Sequence, residues 1–364
     1  MKRFIILLIV VMTITFTANA QEEVEYAPSL LDRVVKLETK SSILDRVNIS
    51  GFIQAAYNWE DNGVSTFNLR RARLSIAGDA YRGANGATVD WRLQTEFTGS
   101  PKVVDLWIRY RPHKAFGIQL GEFKTPMMIE LTEYSQPKLE FIDFSLAVQR
   151  LQRMGSNDIT GISSIGRDIG VQFYGDLVSA KDFNIISYNV AVMNGNGINV
   201  KDNNKSKDVI GRLMVRPTKK LTLAGFYMYG EGGFSQSALL EKFGWVERNP
   251  SYVKLYRFGG GIRYTGKSIT ARAEYIRAKT GNLYSESAYA SASYNFNTKL
   301  SIAARWDYFD ENVYTRANEC NYTIGVNYKP LPLLRLQLNY ILKKYENMDL
   351  NNDNVVGCMI TMQF

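Results

Sequence analysis

The sequence predicts an all-β protein: a transmembrane up-and-down antiparallel β-barrel of about sixteen strands, an even number such as membrane barrels use. Three observations carry that prediction. From Val47 onward, segments of about ten residues alternate apolar and polar side chains, the period of a strand with one apolar face and one wet face. The connections between them fall into a short class and a long class. The chain also ends on an alternating strand, VVGCMITMQF, in which Val356, Cys358, Ile360, Met362 and the terminal Phe364 share one face. Terminal residues of water-soluble chains usually fray. An apolar last residue makes sense if lipid solvates that face and the strand pairs with the first one, VNISGFIQAAYNW.

The N-terminus sets the compartment. Residues 1–20 read MKRFIILLIVVMTITFTANA: a basic start, an apolar run and a small-x-small ending at Ala18 and Ala20, the plan of a secretory signal peptide. Residues 21–46 are expected to form a periplasmic N-terminal segment. Leu30, Leu37 and Leu44 fall seven apart there, but two heptads are too few to specify a coiled coil. Residues 47–364 form the barrel. After Ala20 every apolar run is soon broken by a polar residue, so no helix is expected to cross a bilayer.

Composition narrows the function. Without Lys2 and Arg3 the 44 basic residues become 42, against 35 acidic ones, and they are spread along the chain rather than gathered in a patch. That distribution argues against a nucleic-acid partner. Two cysteines in an exported chain this long make a structural disulfide an unfavoured reading. The single histidine, His113, lies in a Pro- and Lys-containing turn, and no G-x-S-x-G motif accompanies it. Asp349, Asn351 and Asp353 alternate as calcium ligands do, but lack the glycine and distal glutamate of a calcium loop. No catalytic residue, metal site or cofactor is expected.

Three strands show the alternation best. In VDWRLQTEFT, Val89, Trp91, Leu93, Thr95 and Phe97 oppose Asp90, Arg92, Gln94, Glu96 and Thr98; LSIAARWDYF and LRLQLNYILK repeat the pattern. Short turns, YRGANGA, RPHKA, RPTKK, TGK, NFNT and KPLP, alternate with longer connections: EDNGVS, residues 122–166, NGNGINVKDNNKSKD, residues 231–254, KTGNLYSE, FDENVYTRANE and ENMDLNNDN. TGSP breaks the pattern, being short on the long side. A membrane barrel uses short periplasmic turns and long outer loops, and it must close because lipid cannot satisfy an open edge.

FNLRRARLSIAGDA, VDLWIRYRP and GIQLGEFKTPMMIE together resemble the phosphate-selective porin O and P family, over nearly the whole exported chain. GEFKTP is the most specific piece and has Glu122 where the family commonly has Gln. The resemblance implies a sixteen-stranded outer-membrane barrel, typically a homotrimer, whose third long loop folds into the lumen. Residues 122–166 take that loop's place. It also implies that an Arg pair, an Asp and a Lys line the constriction, which would be Arg70, Arg71, Asp105 and Lys124. The terminal aromatic resembles the signal by which outer-membrane proteins engage the barrel-assembly machinery.

An anion pore needs cations in series facing water, and guanidinium suits oxyanions through its paired donors. The inward phase offers Arg71, Arg73, Arg109, Arg263, Arg272, Arg305 and Arg335, with Lys124 at the loop root; Arg70 joins them if a bulge shifts the phase. Passive diffusion of small anions such as phosphate is the expected function. Two alternatives stay open. Asp90, Glu96, Asp105, Glu274 and Asp307 share the lumen and could cancel the arginines, leaving a general porin, or the long loops could serve a receptor or adhesin.

Overall fold

The computed structural model describes residues 46–155, 157–162, 164–233 and 252–364. The expected signal peptide and all of the expected periplasmic segment but Arg46 lie outside them. Sixteen strands run β1 Val47–Glu60, β2 Thr66–Arg82, β3 Thr88–Glu96, β4 Lys102–His113, β5 Phe116–Lys124, β6 Arg167–Ser179, β7 Asn184–Met193 and β8 Asp208–Thr218. They continue as β9 Leu221–Gly233, β10 Tyr252–Thr265, β11 Ile269–Thr280, β12 Leu283–Asn295, β13 Leu300–Asp310, β14 Asn318–Leu331, β15 Leu334–Glu346 and β16 Asp353–Gln363. Each pairs antiparallel with its sequence neighbours, and β1 closes on β16.

Closure answers the question raised by the C-terminus. Gly51 and Phe364 exchange backbone hydrogen bonds, Gly51 N–H donating at 2.9 Å and Phe364 N–H at 3.0 Å. The Phe364 ring lies over Gly51 so closely that an added Cβ there would come within 2.5 Å of it. Glycine is required by that approach. Removing Phe364 deletes these two bonds and frays the end of a seam that nine further β1–β16 register pairs continue, so the heat-modifiable, folded fraction after refolding should fall. Unchanged folding yield would show that closure does not depend on this residue.

The period-two pattern resolves as the sequence predicts along β13 and β15: Leu300, Ile302, Trp306, Leu336, Leu338 and Tyr340 face outward, while Arg305, Asp307, Arg335, Gln337 and Asn339 are buried within the barrel. Cys320 and Cys358 are free thiols. Ile324, 62% exposed at the middle of β14, tests the lipid assignment. Ile324→Arg should cost about 2–4 kcal/mol in bilayer refolding titrations. Ser293→Arg, on the lumen side of β12, should change little.

Two differences from the expected connections have simple causes. KTGNLYSE is a tight hairpin, because β11 and β12 stay paired up to Thr280 opposite Leu283 and Gly281 turns the chain at φ 59. A further short turn joins β6 to β7, closed by the Ala180 N–H donating to the Phe183 carbonyl at 2.8 Å.

Candidate functional site

The connection between β5 and β6 fills much of the barrel. It carries helix α1 (Ile129–Glu133), a 3-10 turn (Gln136–Lys138) and helix α2 (Leu146–Leu151). Phe141, Ile142, Phe144, Leu146 and Leu151 are all at most 5% exposed. Such apolar content needs a wall, and the barrel supplies one on its inner face: Met193, Ile210, Phe226, Met228, Leu255 and Ile276 join the loop in one buried cluster. The strands β7 to β11 therefore turn apolar residues inward here, departing from the polar-in rule. Across the lumen, Ile142 reaches Ala56 of β1 and Met359 of β16.

Ion pairs and backbone acceptors tie the loop down. Arg272 pairs with Glu130 at 3.3 Å and Glu140 at 2.7 Å, Arg263 with Glu133 at 2.6 Å, and Arg305 with Asp307 at 2.6 Å. Arg305 also donates to the Asp143 carbonyl at 2.9 Å. Arg335 donates to the carbonyls of Pro137 and Leu139 at 2.8 and 2.6 Å. Glu274 accepts the N–H groups of Ile129 and Glu130 at 2.6 and 2.8 Å, satisfying the first turn of α1, and takes the Tyr289 hydroxyl at 2.6 Å. Four of the arginines in the inward phase are thus committed to holding the loop. A guanidinium with its donors spent on fixed carboxylates and carbonyls has little left for a passing ion.

Lys124 is likewise committed. Its ammonium donates to the Leu131 and Tyr134 carbonyls at 2.7 and 2.8 Å, pinning the loop root. Asp105 pairs with Arg167 at 3.0 Å and Arg92 at 3.6 Å. Arg109 pairs with Asp90 at 3.1 Å and lies over Trp107, further toward the short-turn end. Asp105 and Lys124 line a cavity of about 520 Å³ bounded by Tyr134, Gln136 and Lys138 of the loop.

Arg70, Arg71 and Arg73 line a different cavity, of about 290 Å³, that shares no lining residue with the first. The expected four-residue constellation is therefore split, because the loop lies between its halves. Two bulges build the cationic wall. Gln54 faces Arg71 while Ala55 faces Leu69, so Arg70 is an extra residue on β2, and Leu69 stays outside while both Arg70 and Arg71 turn in. On β4, Gln94 faces Asp105 and Thr95 faces Val103, so Val104 is extra and Lys102 enters the same cavity.

The three arginines differ in what they hold. Arg70 is ion-paired to Asp143 of the loop. Arg73 pairs with Glu96 at 2.8 Å and donates to Gln136 at 3.2 Å. Arg71 donates to the neutral Gln54 oxygen at 2.9 Å, and among the described residues it forms no salt bridge. Lys102, Asp143, Glu130 and Arg167 escape a reading of the sequence. Lys102 is placed by a bulge that the alternation does not mark, and the others act through contacts distant in sequence.

The family model described as phosphate-selective porin O and P matches residues 47–220, and that of putative beta-barrel porin-2, OmpL-like, matches residues 179–362. The chain is similar in fold to OmpT of Vibrio cholerae, in vitro folded, at 11% identity and TM-score 0.64, covering 87% of this chain and 97% of that one. It is also similar to an anion-selective porin from Comamonas acidovorans, at 12% identity, TM-score 0.63, and 87% and 99% coverage. The outer membrane channel DcaP of Acinetobacter baumannii aligns at 13% identity, TM-score 0.61, and 87% and 97% coverage. At these identities the likeness establishes the fold alone. No curated protein matches the chain in sequence.

Proposed function

The chain belongs to the outer-membrane porins of Gram-negative bacteria, within the phosphate-selective porin O and P family, and from that membership and its lumen charges we infer an anion-preferring diffusion pore. One observation carries the preference. Arg71 faces a lumen cavity without a salt bridge to any described residue, flanked by Arg70, Arg73 and Lys102, against only Glu96 and Asp143. Four cations against two carboxylates leave that side of the passage positive, and the confined space strengthens each charge. The arginines held by the loop shape the passage, and Arg71 supplies the free donors.

Asp105, Lys124 and Arg109 then act on the other side of the loop. Asp105 and Lys124 keep the root rigid, and Arg109 extends the row of guanidiniums toward the short turns. We read those turns as periplasmic and the long connections as extracellular, in keeping with the family plan. OmpT of Vibrio cholerae, similar in fold, has a trimer form, and a homotrimer is the assembly we propose here. The C-terminal strand ending in Phe364 would present the assembly signal.

Reversal potentials in planar bilayers under a KCl gradient test the reading directly. An anion-preferring pore gives the chloride sign, and added inorganic phosphate reduces the current. A potassium sign would leave only a general porin.

A further inference from the structure

The cavity beside Arg71 is cationic on one side only. Its cations come from the barrel wall, Arg70, Arg71 and Arg73 from β2 and Lys102 from β4, with Glu96 of β3 paired to Arg73 among them. The loop side contributes Asp143, whose carboxylate is taken up by Arg70, and Phe144, Met154 and Ile165, none of which offers a side-chain donor to an anion. Gln149, also on that side, already donates its amide to the Phe144 carbonyl at 2.5 Å. Asn157 is the one exposed amide there.

Ile165 adds an independent observation. It sits at φ 55, a left-handed backbone conformation that β-branched residues rarely adopt and that Asn tolerates. A loop position suited to a small polar residue instead presents a branched hydrocarbon to the arginines.

Inorganic phosphate carries oxygens in every direction and is best held by donors all round it. A monocarboxylate carries its charge at one end and hydrocarbon at the other. We propose that this cavity is a subsite for organic carboxylates, the carboxylate taken by Arg71 and its neighbours and the hydrocarbon laid against Met154, Phe144 and Ile165. The proposal rests on the anion-preferring reading above and names its solute class. At about 290 Å³ the space is near the lower bound for small organic ligands.

The test is current block of the intact porin in planar bilayers by acetate, butyrate, hexanoate and inorganic phosphate. Half-blocking concentrations should fall roughly tenfold from acetate to hexanoate, less than the about fourfold per methylene expected for full burial. Hexanoate should also block more strongly than phosphate. Ile165→Asn, which suits the backbone there, should keep the acetate block and compress the chain-length gain to about twofold. Equal block by acetate and hexanoate, or an Ile165→Asn variant keeping the whole gain, would overturn the carboxylate subsite while a chloride-signed reversal potential left the porin reading standing. A potassium-signed potential with no block by any of the four anions would remove both.

Discussion

Deletion of residues 137–153 will raise single-channel conductance about twofold or more, since ion flow is limited by the narrowest part of the path. The segment contains Phe141, Ile142 and Phe144, and it spans from the β11–β13 wall to Ala56 and Met359 on the opposite side. Taking it out removes loop residues that bound both cavities described above. The barrel should survive, because its sixteen strands are held by their own ladders and the deleted stretch belongs to none of them. A softer version targets the anchor. Arg272→Met leaves Glu130, fully buried, without its closest cation, and breaking one side of a buried pair typically costs about 3–5 kcal/mol. The loop should then loosen, seen as frequent conductance steps above the parent level. A correctly folded deletion variant with the parent's conductance would show that the loop does not constrict the path.

The second large effect concerns charge sign. Replacing Arg70 and Arg71 together with Gln removes both bulge arginines from the cavity. A unit charge about 6 Å from a passing ion, at an effective dielectric of about 20, is worth roughly 2–3 kcal/mol before salt screening. The chloride-to-potassium permeability ratio should therefore drop on the order of tenfold at low salt, where each 1.4 kcal/mol is tenfold. Asp143 would lose its partner in that variant, which pushes selectivity further toward cations. Lys124→Gln is the informative contrast. Its ammonium is bound to two loop carbonyls, so its loss should disturb conductance through the loop root more than it disturbs selectivity. If the Arg70 and Arg71 double variant keeps the parent's reversal potential, these arginines are structural partners and the pore is a general one.

Legibility differed sharply between wall and lumen. The period-two alternation in VDWRLQTEFT and LRLQLNYILK specified strands and their lipid faces, because side-chain direction in a strand is local and repeats every second residue. Turn chemistry in RPHKA and KPLP marked the short connections for the same reason. Even the inward turn of Arg70 could be stated as a condition, since a bulge moves the phase by one. Which arginines remain free was beyond that logic. Arg272, Arg305 and Arg335 look like Arg71 in the pattern, yet they spend their donors on Glu140, Asp143 and Leu139, residues 132 to 196 positions away.

The sequence by itself determined the barrel, its strand number, its lipid face and the loop long enough to enter it. Only the tertiary structure decided that β7 to β11 turn apolar side chains inward against that loop, that Lys102 joins Arg71, and that Lys124 and Asp105 stand in a separate cavity. The physical reason is range. Strand faces and turns are set within a few residues, whereas an ion pair or a packed loop exists only once distant strands have closed the space around it.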